Sequence, residues 1–156
     1  MYLGYDGPTN QLTVTTSGSV IASNVYVGYN SASVGNQITI TNGSLSVVNA
    51  LDLRGGTLTF NGGTVAVDQL MLTNFAGSRM TFTSGTLTSG GTTVSNGLEF
   101  VVGDGIHAAT FYLNGSMNPE DLIGHFRELL KLGRCHLLSR SDARCRTGHR
   151  TAQDRD

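Results

Sequence analysis

Along most of this chain, apolar and hydroxyl-bearing residues alternate one for one in short bursts, and each burst closes on a glycine turn. Leu12-Thr13-Val14, Ile38-Thr39-Ile40, Leu58-Thr59-Phe60 and Met80-Thr81-Phe82 share the form apolar-Thr-apolar, and Phe111-Tyr112-Leu113 repeats it with Tyr in the middle. A period of two sends alternate side chains to opposite faces of a strand, so Leu12 and Val14 point inward and Thr13 outward, and likewise in each later copy. The turns follow at Gly18, Gly43, Gly62-Gly63, Gly85 and Gly115, each beside Ser or Asn. A second short strand then starts, with Val20 and Ala22, Leu45 and Val47, Val65 and Val67, or Leu87. A third follows in the first three units as Val25/Val27, Leu51/Leu53 and Leu70/Leu72.

The unit recurs at intervals of about 20 to 30 residues, the range of stacked repeat architectures in which one unit cannot bury its apolar face alone. Three strands per unit predict an all-β fold, a right-handed parallel β-helix of about five rungs over residues 1–116, with Leu12, Ile38, Leu58, Met80 and Phe111 one above another. The uneven spacing falls in the loops from Gly28 to Asn36 and from Gly103 to Thr110, which bulge from a rod without disturbing its stack. A second alignment agrees: Tyr2-Leu3-Gly4-Tyr5-Asp6 matches Tyr26-Val27-Gly28-Tyr29-Asn30, with Val102-Gly103-Asp104 as a weaker third copy. The chain thus opens on the end of a third strand, as a fragment of a longer array would. The competing architecture is an antiparallel β-sandwich, because Asn42-Gly43, Asn61-Gly62, Asn96-Gly97 and Asn114-Gly115 are hairpin signals. Hairpins account for each Asn-Gly, but not for strand, turn, strand and loop recurring in one order.

Charge divides the chain near Met117. Of ten basic residues only Arg54 and Arg79 precede it, and the acids there are Asp6, Asp52, Asp68, Glu99 and Asp104. So few cations exclude an electrostatic grip on nucleic acid, which needs clustered Lys or Arg. No run approaches the roughly 18 apolar residues of a membrane span. Asn118-Pro119-Glu120-Asp121 is a helix-start pattern, and Leu122, Ile123, Phe126, Leu129 and Leu130 recur at helical spacing. This predicts an amphipathic helix within 117–133 that caps the last rung, followed by a basic, disordered tail over 134–156. In that tail Cys135, His136, Cys145 and His149 match no standard zinc spacing, and no metal or cofactor is expected. So abrupt a change of composition also admits a junction or a shifted reading frame.

Gln11-Leu-Thr-Val-Thr15, Asn42-Gly-Ser-Leu45, Leu53-Arg-Gly-Gly-Thr-Leu-Thr-Phe-Asn-Gly-Gly-Thr64 and Val101-Val-Gly-Asp-Gly105 resemble the Gly/Thr-rich strand repeats of bacterial autotransporter passengers and of large exported, surface-sorted proteins. The resemblance covers residues 2–116. It implies an extracellular or cell-surface, non-catalytic structural or adhesive module with surface glycans or other surface proteins as partners, and an export signal lying outside this chain.

Two rivals share the scaffold. A carbohydrate-active enzyme needs carboxylates converging on one face, and no two acids stack in adjacent units, Asp52 falling outward in a third strand and Asp68 in the turn before one. An ice- or glycan-binding surface would use the outward hydroxyls: Thr13, Thr39, Thr59 and Thr81 in one ladder, with Thr15, Thr41, Asn61 and Thr83 beside it. Against that stands the ordinary preference of exposed strand positions for Thr. Tyr5, Tyr26, Tyr29 and Tyr112 are expected on several different faces or loops, which leaves a sugar site without a location. Asn42-Gly-Ser44 and Asn114-Gly-Ser116 match the glycosylation sequon but read as turn chemistry.

Overall fold

The computed structural model describes residues 1–73, 77–115, 117–118, 135–139 and 142–145. The strands are β1 (Tyr2–Leu3), β2 (Gln11–Val14), β3 (Ser19–Ala22), β4 (Val25–Val27), β5 (Asn36–Leu53), β6 (Gly56–Leu72), β7 (Arg79–Val94), β8 (Ala109–Leu113), β9 (Met117–Asn118), β10 (Cys135–Ser139) and β11 (Asp142–Cys145). Through β9 every pairing is parallel. Tight hairpins produce antiparallel neighbours, so parallel pairing removes the sandwich alternative. The chain is a β-solenoid of about five coils.

Three faces follow from the register. On the first, Leu12, Ile38, Leu58 and Met80 stack, with Val14, Ile40, Phe60 and Phe82 beside them. On the second, Val20, Leu45, Val65, Leu87 and Phe111 stack. On the third, Val25, Leu51, Leu70 and Thr92 stack. β5, β6 and β7 are so long because each runs around two corners without leaving the ladder. The inward residues make one continuous core, in which Ile38, Ile40, Leu51, Leu58, Phe60 and Leu70 are wholly buried. Inside it the Phe60 and Phe82 rings stack at 4.9 Å, close to the inter-strand spacing of about 4.8 Å.

Glycine is required at the first corner. Gly43 and Gly63 are register partners, and Gly63 has a φ of 91°. A Cβ on Gly63 would overlap the Gly43 carbonyl oxygen. Asn42, in the sequon-like Asn42-Gly-Ser44, also takes a left-handed φ of 56°, as a turn residue does.

The last coil departs from expectation. Phe111 pairs with Leu87 rather than standing above Met80, so Phe111-Tyr112-Leu113 is the second arm of its unit, not the first. The first arm is the irregular stretch before it: Gly103 N donates to Phe82 O (2.8 Å), and Phe100 is buried against the core. Gly103 therefore does not repeat Gly4 and Gly28. Beyond Gly115, Met117–Asn118 continues the third face beside Thr92 and Thr93, which carries the solenoid past residue 116. The remainder of the expected capping helix lies outside the described residues. Within the segment read as a tail, Cys135–Ser139 and Asp142–Cys145 pair as an antiparallel hairpin, and Ala143 pairs with Phe111.

Candidate functional site: hydroxyl ladders and a tyrosine cluster

Because the first-face register has no shift before Phe60, the outward threonines fall in line. Thr13, Thr39, Thr59 and Thr81 are successive register partners. Thr59 Oγ1 accepts from Gln37 Nε2 at 3.3 Å. The neighbouring row is broken. Thr41 faces Asn61, but a bulge then places Ser84 opposite Asn61, so Thr83 does not complete the row. Its Oγ1 donates to Phe60 O (3.0 Å) and also contacts Asn61 Oδ1. Thr15 lies just past the paired residues of β2, with its carbonyl accepting Gly18 N (2.8 Å) at the corner. A second hydroxyl ladder, which the apolar-Thr-apolar motif does not signal, runs up the second face through Ser19, Ser44, Thr64, Thr86 and Thr110. Ser44 Oγ donates to Ser19 Oγ at 2.9 Å.

The tyrosines are not scattered. Tyr2 is the register partner of Tyr26, and the next turn repeats, with Tyr29 N donating to Gly4 O (2.9 Å). Side chains one coil apart then stand at stacking distance. Tyr2 stacks on Tyr26 at 5.0 Å with 18° between planes, and Tyr5 on Tyr29 at 5.2 Å and 11°. The two stacks meet edge to face: Tyr2 and Tyr5 are 5.2 Å apart at 89°, and Tyr26 and Tyr29 are 5.5 Å apart at 86°. On the side of the following coil, the Arg54 guanidinium sits 4.6 Å from the Tyr29 centroid and 5.5 Å from that of Tyr26. Asp52, in register with Tyr26, fixes it, with Arg54 Nε donating to Asp52 Oδ2 at 2.7 Å. That bond raises the Arg54 pKa above its ordinary value. Although outward in the alternation of its strand, Asp52 is 3% exposed, covered between its neighbours, and its Oδ1 has no hydrogen-bond partner among the described residues. Asp6 and Asn30 extend the cluster as a hydrogen-bonded polar pair.

An open groove of about 520 Å³ lies at the last coil, lined by Met80, Phe82, Val94 and Phe100 with Arg79, Glu99 and Asp104. Asp104 Oδ1 accepts the Ile106 and His107 backbone N–H groups (2.9 and 2.8 Å), and its Oδ2 lies 2.7 Å from His107 Nδ1. The His107 N–H foremost, then its ring and the Ile106 N–H, holds this carboxyl well below the usual range. A carboxylate so stabilised in its charged form is a poor proton donor. Among the described residues no three His, Cys, Asp or Glu side chains gather as a metal site, and no helix is long and apolar enough to cross a membrane.

Comparison with known proteins returns no matching family model, no matching curated sequence and no matching solved structure. The site has to be read from its own chemistry.

Proposed function

We propose that this chain is a non-catalytic structural and adhesive module of an exported bacterial surface protein, working as a stiff spacer that carries exposed side-chain arrays away from a cell. The observation that supports this reading is the parallel stack: strand after strand pairs in parallel with the coil before it, and one apolar core threads them. Such a stack is stabilised by nearest-neighbour contacts and resists bending along its length. The likeness of its Gly/Thr repeats to autotransporter passengers supports export. The test is protease accessibility of the epitope-tagged protein on intact cells of its native host. Digestion without lysis is expected; protection until the cells are broken overturns the surface role.

One observation favours a second reading. The Thr13, Thr39, Thr59, Thr81 ladder sets four threonines one coil apart in unbroken register, the one-dimensional repeat an ice-binding face would use. That reading requires thermal hysteresis that Thr39→Lys abolishes, and a solution without hysteresis removes it.

A further inference from the structure

The chain has two cysteines, Cys135 and Cys145, and the fold brings them level with each other. Cys135 is the first residue of β10 and Cys145 the last of β11, and the two are register partners at the open end of the antiparallel hairpin. Directly opposed residues of an antiparallel pair lie on the same face, with Cα atoms about 4.5 to 5.5 Å apart. A disulfide spans Cα separations of about 4.4 to 6.8 Å, so this backbone register accepts one. The hairpin is also placed to need it. β11 continues the ladder from β8 through Ala143 and Phe111, the one register position that joins the two strands among the described residues, and an isolated two-stranded hairpin is only marginally stable in water.

We propose that Cys135 and Cys145 form a cross-strand disulfide that locks the β10–β11 hairpin against the edge of β8. The oxidant is a small-molecule disulfide. One cysteine thiolate attacks it, a mixed disulfide forms and one small thiol leaves. The other cysteine thiolate then attacks the mixed disulfide, the S–S bond between Cys135 and Cys145 forms, and the second small thiol departs. Two protons and two electrons thus pass from the cysteines to the oxidant, which is reduced to two thiols. Sequence neighbours favour the attacking form: Arg134 and His136 flank one cysteine, Arg144 and Arg146 the other, and nearby positive charge stabilises a thiolate. Closing the open end of the hairpin suppresses its fraying, so β11 stays on an edge of β8 that another chain could otherwise pair with. The bond is separable from the surface role, because exchange in a buffer does not depend on where the protein resides.

The purified full chain, either reduced or equilibrated with oxidised glutathione, is compared by intact mass, thiol alkylation and hydrogen exchange, with circular dichroism checking the fold. Oxidation is expected to consume both thiols together, to lower the mass of a monomeric chain by two hydrogen atoms, and to yield one peptide pair linked through Cys135 and Cys145. The folded chain should close this bond about tenfold more favourably than the same chain in denaturant, because the register already holds the partners level. The amides of Phe111 and of β11 should exchange about tenfold more slowly after oxidation, while those of β5 and β6 stay unchanged. Cys135→Ser/Cys145→Ser protein should exchange alike in both buffers, at the rate of the reduced chain. Any of four results overturns the proposal: free thiols in folded protein under oxidising conditions, a disulfide that links two chains instead of closing one, a closed bond that forms no more readily than in denaturant, or one that leaves exchange at Phe111 and β11 unchanged.

Discussion

Ser89 and Thr92 stand in columns that hold Val47 and Val67, or Leu51 and Leu70, in the coils before them. Both are buried, and each hydroxyl is satisfied: Thr92 Oγ1 donates to Ser89 Oγ at 3.0 Å and Ser89 Oγ to Gly91 O at 2.6 Å. Removing one partner strands the other, whereas removing both leaves little unpaired. Ser89→Ala should cost about 1–3 kcal/mol and Ser89→Ala/Thr92→Val clearly less than the sum of its singles, as a double-mutant cycle by chemical denaturation would measure. Asn36 is a second buried polar residue with structural duty. Its Oδ1 accepts Asn10 N and Asn10 Nδ2 (2.8 and 2.9 Å), and its Nδ2 donates to Ser33 O (2.7 Å). At Asp104 the direction of the pKa shift sets the pH behaviour. A carboxyl whose folded pKa is depressed stabilises its turn fully above its ordinary pKa of 3.8 and loses that contribution only as pH falls through the lower folded value. Carbon-13 NMR should therefore find Asp104 still ionised at about pH 3, where an ordinary Asp is mostly protonated, and His107→Ala should move its titration upward.

At the scale of the strand and corner, legibility follows how local the signal is. The first-face column from Leu12 to Met80 is readable because alternation and the following glycine occur together in each copy, and β-pairing preserves that register. Phe111 is misplaced by the same rule, because Phe111-Tyr-Leu113 is followed by Asn114-Gly115 as a first arm is, although it pairs as a second arm. Only the irregular stretch around Phe100 and Gly103, which carries no alternation, shows that an arm has already been used. The tyrosine cluster has its signal in the aligned copies Tyr2-Leu3-Gly4-Tyr5 and Tyr26-Val27-Gly28-Tyr29. Judging aromatics by separation along the chain hides what separation by one coil reveals. Thr83 is lost from its row through a bulge, and bulges leave little trace in composition. The corner yields a sharp test. Gly63→Ala puts a Cβ against the Gly43 carbonyl at a left-handed φ, so it should destabilise by about 1–3 kcal/mol. Gly105→Ala, with a positive φ but nothing within 4 Å of its Cβ, should cost less in the same thermal melts.

For the whole molecule, stability is a sum over neighbouring coils. Gly55 and Gly77 occupy equivalent corners, since a Cβ on Gly77 would meet Gly55 Cα at 2.9 Å. Excising residues 56–77 removes one full circuit and joins two ends already in register. This shortened chain should keep its β-sheet circular dichroism and a cooperative melt at lower temperature. Excising residues 56–66 should abolish both, because it removes half a circuit and takes Leu70 out of register with Leu51. The paired hydroxyls of Ser89 and Thr92 also have a bearing on mechanics. Elsewhere the inward columns pack apolar side chain on apolar side chain from coil to coil, but here two inward positions of one coil bond to each other and to Gly91 O, so they offer less apolar contact across the seam. A rod stretched along its axis should part there first, like a zip with one worn tooth, leaving the earlier coils and their stacked tyrosines intact.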